Sequence, residues 1–430
     1  SMYALRPAFD TVADMIGKGK KVPESLLEIF AQNPEYSAKL DSLINAKDKV
    51  PFKIFDKKNA EKLFGKNLNI SASQLEKFNL CRFSYFCNYG LNVRERQRAE
   101  INPMQYGTIV HYILERFFGE YTKEEYLSLE EDKLQKIVCA YLAEYAVKYF
   151  GEEQLESNSF TYRLKTILDN VMHLMKHIME ELSQSEFFVA DCELKIGEDI
   201  PSYTIVLPDG HKIAVCGSVD RVDIMQRADI TYLRIIDYKT GTKQFKLSDI
   251  LYGINLQMLL YLHSIEASGG DKYGEIVPAG ILYMPATVPY ISSDSLKSID
   301  KLPDELNKKL KMNGLLLKDT EIIHGMDKTD VATYIPVKIK AGEPVSSTSL
   351  ATLAEFGKIF KKVDMLIAEM GKNIYNGNIE AKPLKGGHDS CEYCPYDSVC
   401  AYRQSNPITC FSVDNKTVIE EITKEINGKE

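Results

Sequence analysis

The chain has no apolar run near the ~18 residues that a membrane-spanning helix needs, and no basic-then-apolar leader at its N-terminus. A soluble, cytoplasmic protein with no membrane contact is expected. It has no GxxxxGK[ST] stretch, which excludes ATP binding through a P-loop. It has no internal repeat and no low-complexity tract. Positive charge is not in excess: 53 Lys and Arg against 61 Asp and Glu leave a formal net charge of −8. That balance argues against a surface coated for indiscriminate nucleic-acid binding, while a local basic groove stays compatible with it. The dense basic stretch Arg94-Glu-Arg-Gln-Arg98 reads by itself as a solvated face, and Lys239, Lys243 and Lys246 gather further along. Ser1-Met2 reads as the remnant of a cleaved tag, with the natural protein expected to extend upstream.

What is present suits a globular protein. Hydrophobic residues make up 44% and charged residues 27% of the 430, enough for a sizeable core in two or three units or in one large decorated domain. Nine cysteines without a secretory signal argue against a disulfide framework. Cys391, Cys394 and Cys400 crowd into ten residues, and the x2 spacing lets two thiolates converge on one ion. A fourth ligand could come from Cys81, Cys87, Cys410 or His388. Cys139, Cys192 and Cys216 lie among apolar residues and are expected in the core. Spacing does not decide between zinc and an iron–sulfur cluster.

Apolar residues at helical spacing predict helices over residues 3–50, then from Pro103, over Glu130–Phe150 and over Phe160–Ser183. Ser73 and Glu76 have capping-box spacing before a helix that ends at Cys81. Strand signals run from Phe187 to Tyr238, broken by a turn at Pro208-Asp-Gly210. A helix over Asp249–Ala267, a strand over Ile276–Tyr283, an irregular stretch over 285–348 that includes strand-like Tyr334–Ile339, and a helix over Leu350–Tyr375 complete the pattern.

The chemistry concentrates where the strand Tyr232–Ile236 runs into Asp237-Tyr238-Lys239. Residues two apart on a strand share a face, so Asp237 and Lys239 project together and Tyr238 points away. Asp220, in the strand-like stretch Ile213–Ile224, supplies a second carboxylate. Two carboxylates and a lysine at strand ends are what a divalent cation and an attacking water need for phosphodiester hydrolysis. Each residue alone has an ordinary reading as solvated strand-end charge. His111 shares a helix face with Leu114 and Phe118 and becomes a ligand only if that helix packs beside the aspartates. Gln257 and Tyr261, four apart, share a helix face that either edges the core or reaches Lys239 and the substrate.

Taken in order, these stretches resemble the RecB-like branch of the PD-(D/E)XK nucleases, and most closely the nuclease domains of AddAB-type bacterial helicase–nucleases. The resemblance rests on Ser71–Cys81, Tyr85–Leu91, Gly107–Glu115, Gly217–Asp223, Asp237–Gly241, Gln257–Tyr261 and the terminal cysteines. Arg82 stands where proline is common, and Val219 where the superfamily's name expects one; neither change removes a ligand. The resemblance implies an α/β restriction-endonuclease-like fold, a mixed sheet flanked by helices, with large helical insertions. It implies a 4Fe–4S cluster on Cys81, Cys391, Cys394 and Cys400, stapling the N- and C-terminal parts. Closing so long a loop would stabilise the fold by on the order of 4–5 kcal/mol, as estimated for disulfides. It implies Mg²⁺, or Mn²⁺, on His111, Asp220, Asp237 and the Tyr238 carbonyl, with Lys239 orienting the water and Gln257 and Tyr261 in the family's Q-x-x-x-Y positions. DNA ends and single strands are the implied substrates, and an AddA-type helicase–nuclease subunit the implied partner. Residues 1–66 would be the helical tail of an upstream helicase-like region, 67–410 the nuclease domain and 411–430 a C-terminal tail. The alternatives are a free-standing CRISPR-associated exonuclease and a zinc-stapled, inactive DNA-binding subunit.

Overall fold

A computed structural model describes residues 5–46, 53–94, 103–151, 157–241, 244–287, 308–329, 331–346, 348–400, 402 and 407–428. Most of the basic stretch Arg94–Arg98 and Lys243 lie outside the described residues. Helices α1 (Leu5–Gly17), α2 (Glu24–Ala31) and α3 (Ser37–Ala46) bury Phe9, Val12, Phe30, Tyr36 and Leu40 in a small core of their own. Then come α4 (Lys57–Phe64), β1 (Asn67–Ile70), α5 (Ala72–Leu80) and α6 (Arg82–Tyr85), which runs into a π-helical turn at Phe86–Gly90. Four more helices follow: α7 (Pro103–Glu120), α8 (Lys123–Leu127), α9 (Glu131–Phe150) and α10 (Asn158–Ser183). Strands β2 (Phe188–Ile196), β3 (Thr204–Val206), β4 (Lys212–Val215), β5 (Gly217–Arg227) and β6 (Ile230–Lys239) succeed them. A 3-10 turn at Leu247–Tyr252 leads to α11 (Gln257–Ser268), α12 (Gly270–Tyr273) and β7 (Glu275–Pro285). The remainder holds β8 (Asn313–Leu317), α13 (Thr320–Met326), β9 (Lys338–Lys340), β10 (Glu343–Val345), β11 (Leu350–Ala351), α14 (Leu353–Tyr375), β12 (Leu384–Gly386), β13 (Ile408–Cys410) and α15 (Asn415–Asn427).

The main sheet is mixed, in the order β11-β8-β7-β6-β5-β2. The pairs β6·β7 and β8·β11 are parallel and the other three antiparallel. Helix α11 makes the crossover that parallel neighbours require. A smaller sheet, β1-β4-β3, closes one side, and the hairpin between β3 and β4 turns at Gly210, whose φ of 86° suits glycine.

Four expectations change. The capping box is Ser71 with Gln74, because the helix begins two residues earlier than the Ser73 spacing implied. The Asp249–Ala267 helix is two pieces, parted where Gly253 and Asn255 take left-handed backbone at φ 70° and 53°. Leu350–Ala351 is a strand, and α14 starts after it at a Thr352–Glu355 capping box. Cys139 faces solvent from α9 instead of entering the core.

The unit closes on itself. Tyr375 donates its hydroxyl to the carbonyls of Gly65 and Lys66, both at 3.1 Å, Lys53 bridges Asn378, and Ser390 donates to the Leu80 carbonyl at 3.0 Å. Residues 411–430, read as a tail, carry α15, whose Val418 and Ile422 join the main core while Glu425 pairs with Lys362 on α14.

Beneath the sheet lies a closed set of charges. Arg221 and Asp223 share one face of β5, and Arg234 lies opposite Asp223 on β6. Arg221 donates to both Asp223 oxygens at 2.6 Å and to Glu181 of α10 at 3.0 Å, and Arg234 donates to Glu181 at 2.5 Å and to Asp223 at 3.0 Å. All four side chains are fully buried. Two cations against two anions make the burial tolerable, since an unpaired charge there would cost several kcal/mol.

Candidate active site

The opposite alternation of the same two strands builds the site. Asp220 leaves β5 and Asp237 leaves β6 on the face turned away from the Arg221 set. Helix α7 brings His111 to their end, with Nε2 3.5 Å from Asp220 Oδ2 and Nδ1 2.6 Å from Glu193 Oε1. Glu193 belongs to β2, where Cys192 pairs with Arg221 and Leu194 with Val219, so Glu193 falls opposite Asp220. Its φ of 51° is left-handed backbone, unusual for a residue other than glycine and strained within a strand. Ser218 donates to the other Glu193 oxygen at 2.8 Å. Ligand atoms of His111, Glu193 and Asp220 all lie within 4.8 Å of one another, a group able to hold a metal ion.

Asp237 is 3% exposed and Lys239 27%, with the ammonium 2.5 Å from Asp237 Oδ2. Among the described residues that oxygen still has no well-aligned hydrogen-bond donor. Gln257, the first residue of α11, donates to Oδ1 at 3.3 Å. Tyr238 turns its ring to the Arg221 side and uses its backbone here, its amide donating to Asp220 Oδ2 at 2.9 Å. Burial, and then Asp237 beside it, push the Asp220 carboxyl up to about 7. Burial opposes charge on His111, but Glu193 and then Asp220 outweigh it and raise its pKa. Burial likewise works against a charged Glu193, and the His111 and Ser218 hydrogen bonds overcome it and lower its pKa. Buried carboxylates outnumber the cations beside them, and carboxylate oxygens with one imidazole suit Mg²⁺ or Mn²⁺.

Tyr261 lies deeper than the sequence suggested. Its hydroxyl receives the Ala72 amide and fills the space where a Gly217 side chain would stand. Gly217, at φ 155°, is therefore fixed twice over, by its backbone and by the tyrosine. Glu76 takes the Leu256 amide at 2.7 Å, and Asn79 donates to the Gly253 carbonyl at 3.0 Å, so α5 holds the segment that presents Gln257.

Where α5 ends, Cys81 and Cys87 pack with Tyr396, Cys394 and Cys400. Burial raises the Cys81 thiol, opposed by the Ser84 and Phe83 amides that donate to its sulfur, with Cys394 and Cys391 near enough to add to the rise. Burial also lifts Cys400 to about 11, against the Tyr402 amide. Cys410 lies apart, against Leu384 and Ile254. The structure thus gathers Cys81 with Cys391, Cys394 and Cys400, and adds Cys87.

Residues 69–401 match the PD-(D/E)XK nuclease superfamily. The chain belongs to it. Among curated proteins, this nuclease-superfamily chain is similar to an ATP-dependent helicase/deoxyribonuclease subunit of Clostridium kluyveri (strain NBRC 12016), 34% identical over 88% of the chain and 34% of that protein. The same-named protein of Thermoanaerobacter sp. (strain X514) is 34% identical over 80% of the chain and 30% of that protein. That of Ruminiclostridium cellulolyticum is 32% identical over 98% and 38%. The chain therefore spans about a third of the length of these relatives. Among the described residues no helix is long and apolar enough to cross a membrane.

Glu193 is the site residue that sequence reasoning missed. In Cys192-Glu193-Leu194 it looks like any solvated strand acid; only the register against Asp220 gives it away.

Proposed function

We propose that this chain hydrolyses DNA phosphodiester bonds as the nuclease module of an AddAB-type helicase–nuclease, paired in the cytoplasm with an AddA-type subunit and processing double-strand ends for recombination. The observation that carries the reading is the meeting of His111, Glu193 and Asp220 within 4.8 Å beside the Asp237–Lys239 pair. His111, Asp220, Asp237 and the Tyr238 carbonyl, joined by Glu193, would hold Mg²⁺ or Mn²⁺. The cation supplies positive charge that polarises a phosphate and acidifies water. Lys239 stabilises the negative charge that develops on the phosphate and orients the attacking water. Gln257 keeps the Asp237 carboxylate in its rotamer, and Tyr261 sets the start of β5 through Gly217.

Cys81, Cys391, Cys394 and Cys400 would hold a 4Fe–4S cluster as a structural staple. Amides aimed at the Cys81 and Cys400 sulfurs suit thiolate ligands. Among the described residues no three cysteine sulfurs gather within 4.8 Å. Four thiolates on one tetrahedral zinc would stand about 3.8 Å apart. The spacing supports the wider cluster, and the purified protein should carry iron and sulfide; zinc in their place overturns the assignment.

The test is metal-dependent cleavage of linear duplex and single-stranded DNA, with Asp237→Ala alongside. The variant should lose activity on the order of a thousandfold. Unchanged cleavage removes the catalytic reading.

A further inference from the structure

A cavity of about 770 Å³ opens in the insertion that follows β7, away from the catalytic cluster. Its charged lining is Lys308, Lys311, Lys338 and Lys340; among the described residues no acid and no aromatic ring lines it. Lys338 and Lys340 stand two apart on β9 and so share a face. Among the described residues neither forms an ion pair, and the nearby Glu343, opposite Lys340 on β10, takes the Thr320 hydroxyl at 2.6 Å.

The cavity is built, not an accident of loose side chains. Lys311 is held by the Ala332 and Val337 carbonyls at 2.6 and 3.0 Å. The loop supplying the first of them is anchored by the buried Asp327, which accepts the Thr329 and Tyr334 amides at 3.0 and 2.7 Å. Two of the three ammonium donors are thus spent on the frame, and the charge is fixed in the wall.

Position ties the cavity to the site. Asp237 pairs with Tyr283, and Tyr283 with Asn313, so one row crosses β6, β7 and β8. Two strand spacings put Asn313 about 10 Å from Asp237. Lys311 and Met312 come immediately before it, at the catalytic end of the sheet. Asn313 also takes the Phe245 amide at 2.8 Å, which fastens the segment beyond Lys239 to the same corner.

We propose that this four-lysine cavity holds the phosphate backbone of the DNA strand being cut, a few nucleotides from the scissile bond. The inference rests on the nuclease reading above. A cavity of this volume takes a short length of single strand and has no room for a duplex. Without a ring to stack on, contact falls on phosphates, so binding there is blind to sequence and sensitive to salt.

The experiment measures binding of a long single-stranded oligonucleotide and of a dinucleotide to the 430-residue chain, in EDTA, across a salt series. The variants are Lys338→Gln/Lys340→Gln and the charge-keeping Lys338→Arg/Lys340→Arg. Both lysines are exposed, and melting curves check the fold. The Gln pair should weaken the long strand equally for all sequences and flatten its log–log salt slope by about 0.7 per lysine, about 1.4 in all. The dinucleotide should be unaffected, and the Arg pair should behave as wild type. Wild-type affinity and slope in the Gln pair overturn the inference, as does equal loss for the dinucleotide. So does a Gln pair that loses only competition by inorganic phosphate, which would mark a free-anion site. Metal-dependent cleavage, assayed in parallel, keeps the two readings apart. A wild type that shows the lysine-dependent slope but does not cut defeats the nuclease reading alone, and one that cuts while the Gln pair binds normally defeats this one alone.

Discussion

Strands β5 and β6 carry two charged clusters back to back, one on each face, and the clusters differ in balance. On one face Arg221 and Arg234 answer Glu181 and Asp223 charge for charge with every side chain sealed from water. On the other, Asp220, Asp237 and Glu193 face Lys239 and His111 at a partly open edge, and the Asp220 carboxyl rises to about 7. Alternation along a strand is enough to separate them. A closed, neutral set holds the sheet together; an acid-rich, half-open set is poised for a cation. Burial alone does not mark function, since the more deeply buried set is the structural one.

The sharpest way to break this contrast is to remove one member of the closed set. Glu181→Ala leaves two buried guanidinium groups short of a partner, and urea denaturation should show a loss of about 3–5 kcal/mol. A loss below about 1 kcal/mol would mean that water reaches the cluster and the two faces are alike. On the open face, Glu193→Gln should leave melting nearly unchanged while raising the Mg²⁺ concentration for half-maximal cleavage by roughly 10–100-fold. An unaltered metal requirement would take Glu193 out of the site.

The smallest effect is expected at an intermediate case. His263 on α11 lies 3.0 Å from Asp364, which also takes the Tyr203 hydroxyl at 2.9 Å, and 3.7 Å from Glu266. Burial works against its charge, but Asp364 and then Glu266 prevail and hold the pKa at about 9. The unfolded value is about 6.5, so the stabilisation is complete below it and disappears as pH rises through the folded value. Asp364 is 34% exposed, and solvent screening reduces the contribution to about 1–2 kcal/mol. His263→Gln should therefore cost stability at about pH 6 and nothing at about pH 10. An equal cost at both would show packing rather than charge.

Local patterns in the chain were legible where spacing alone determines geometry. Asp237 and Lys239 share a face because strands alternate, and His111 meets the sheet because its neighbours on α7 are apolar. What stayed hidden depends on partners distant in sequence. Glu193 acquires its role from a register and a left-handed φ, neither of which is written in its neighbours. Tyr261 looked catalytic from its place in the Q-x-x-x-Y pattern, but its hydroxyl fills the gap left by Gly217. The Arg221 set was invisible for the same reason: four charges from α10, β5 and β6 cancel only when folded together. The break between the 3-10 turn and α11 escaped notice because Asn255, like Gly253, adopts a conformation that its own sequence merely permits.

The hydrogen bonds that join Tyr375 to Gly65 and Ser390 to Leu80 also set a schedule. A ribosome releases the chain from one end at ~10 residues per second, so roughly half a minute passes between Leu80 and Ser390. Through that interval both aspartates and the lysine already exist, yet the frame that aims them is unfinished. The youngest part of the polypeptide completes the oldest, and a half-made copy holds the residues of a nuclease without their alignment.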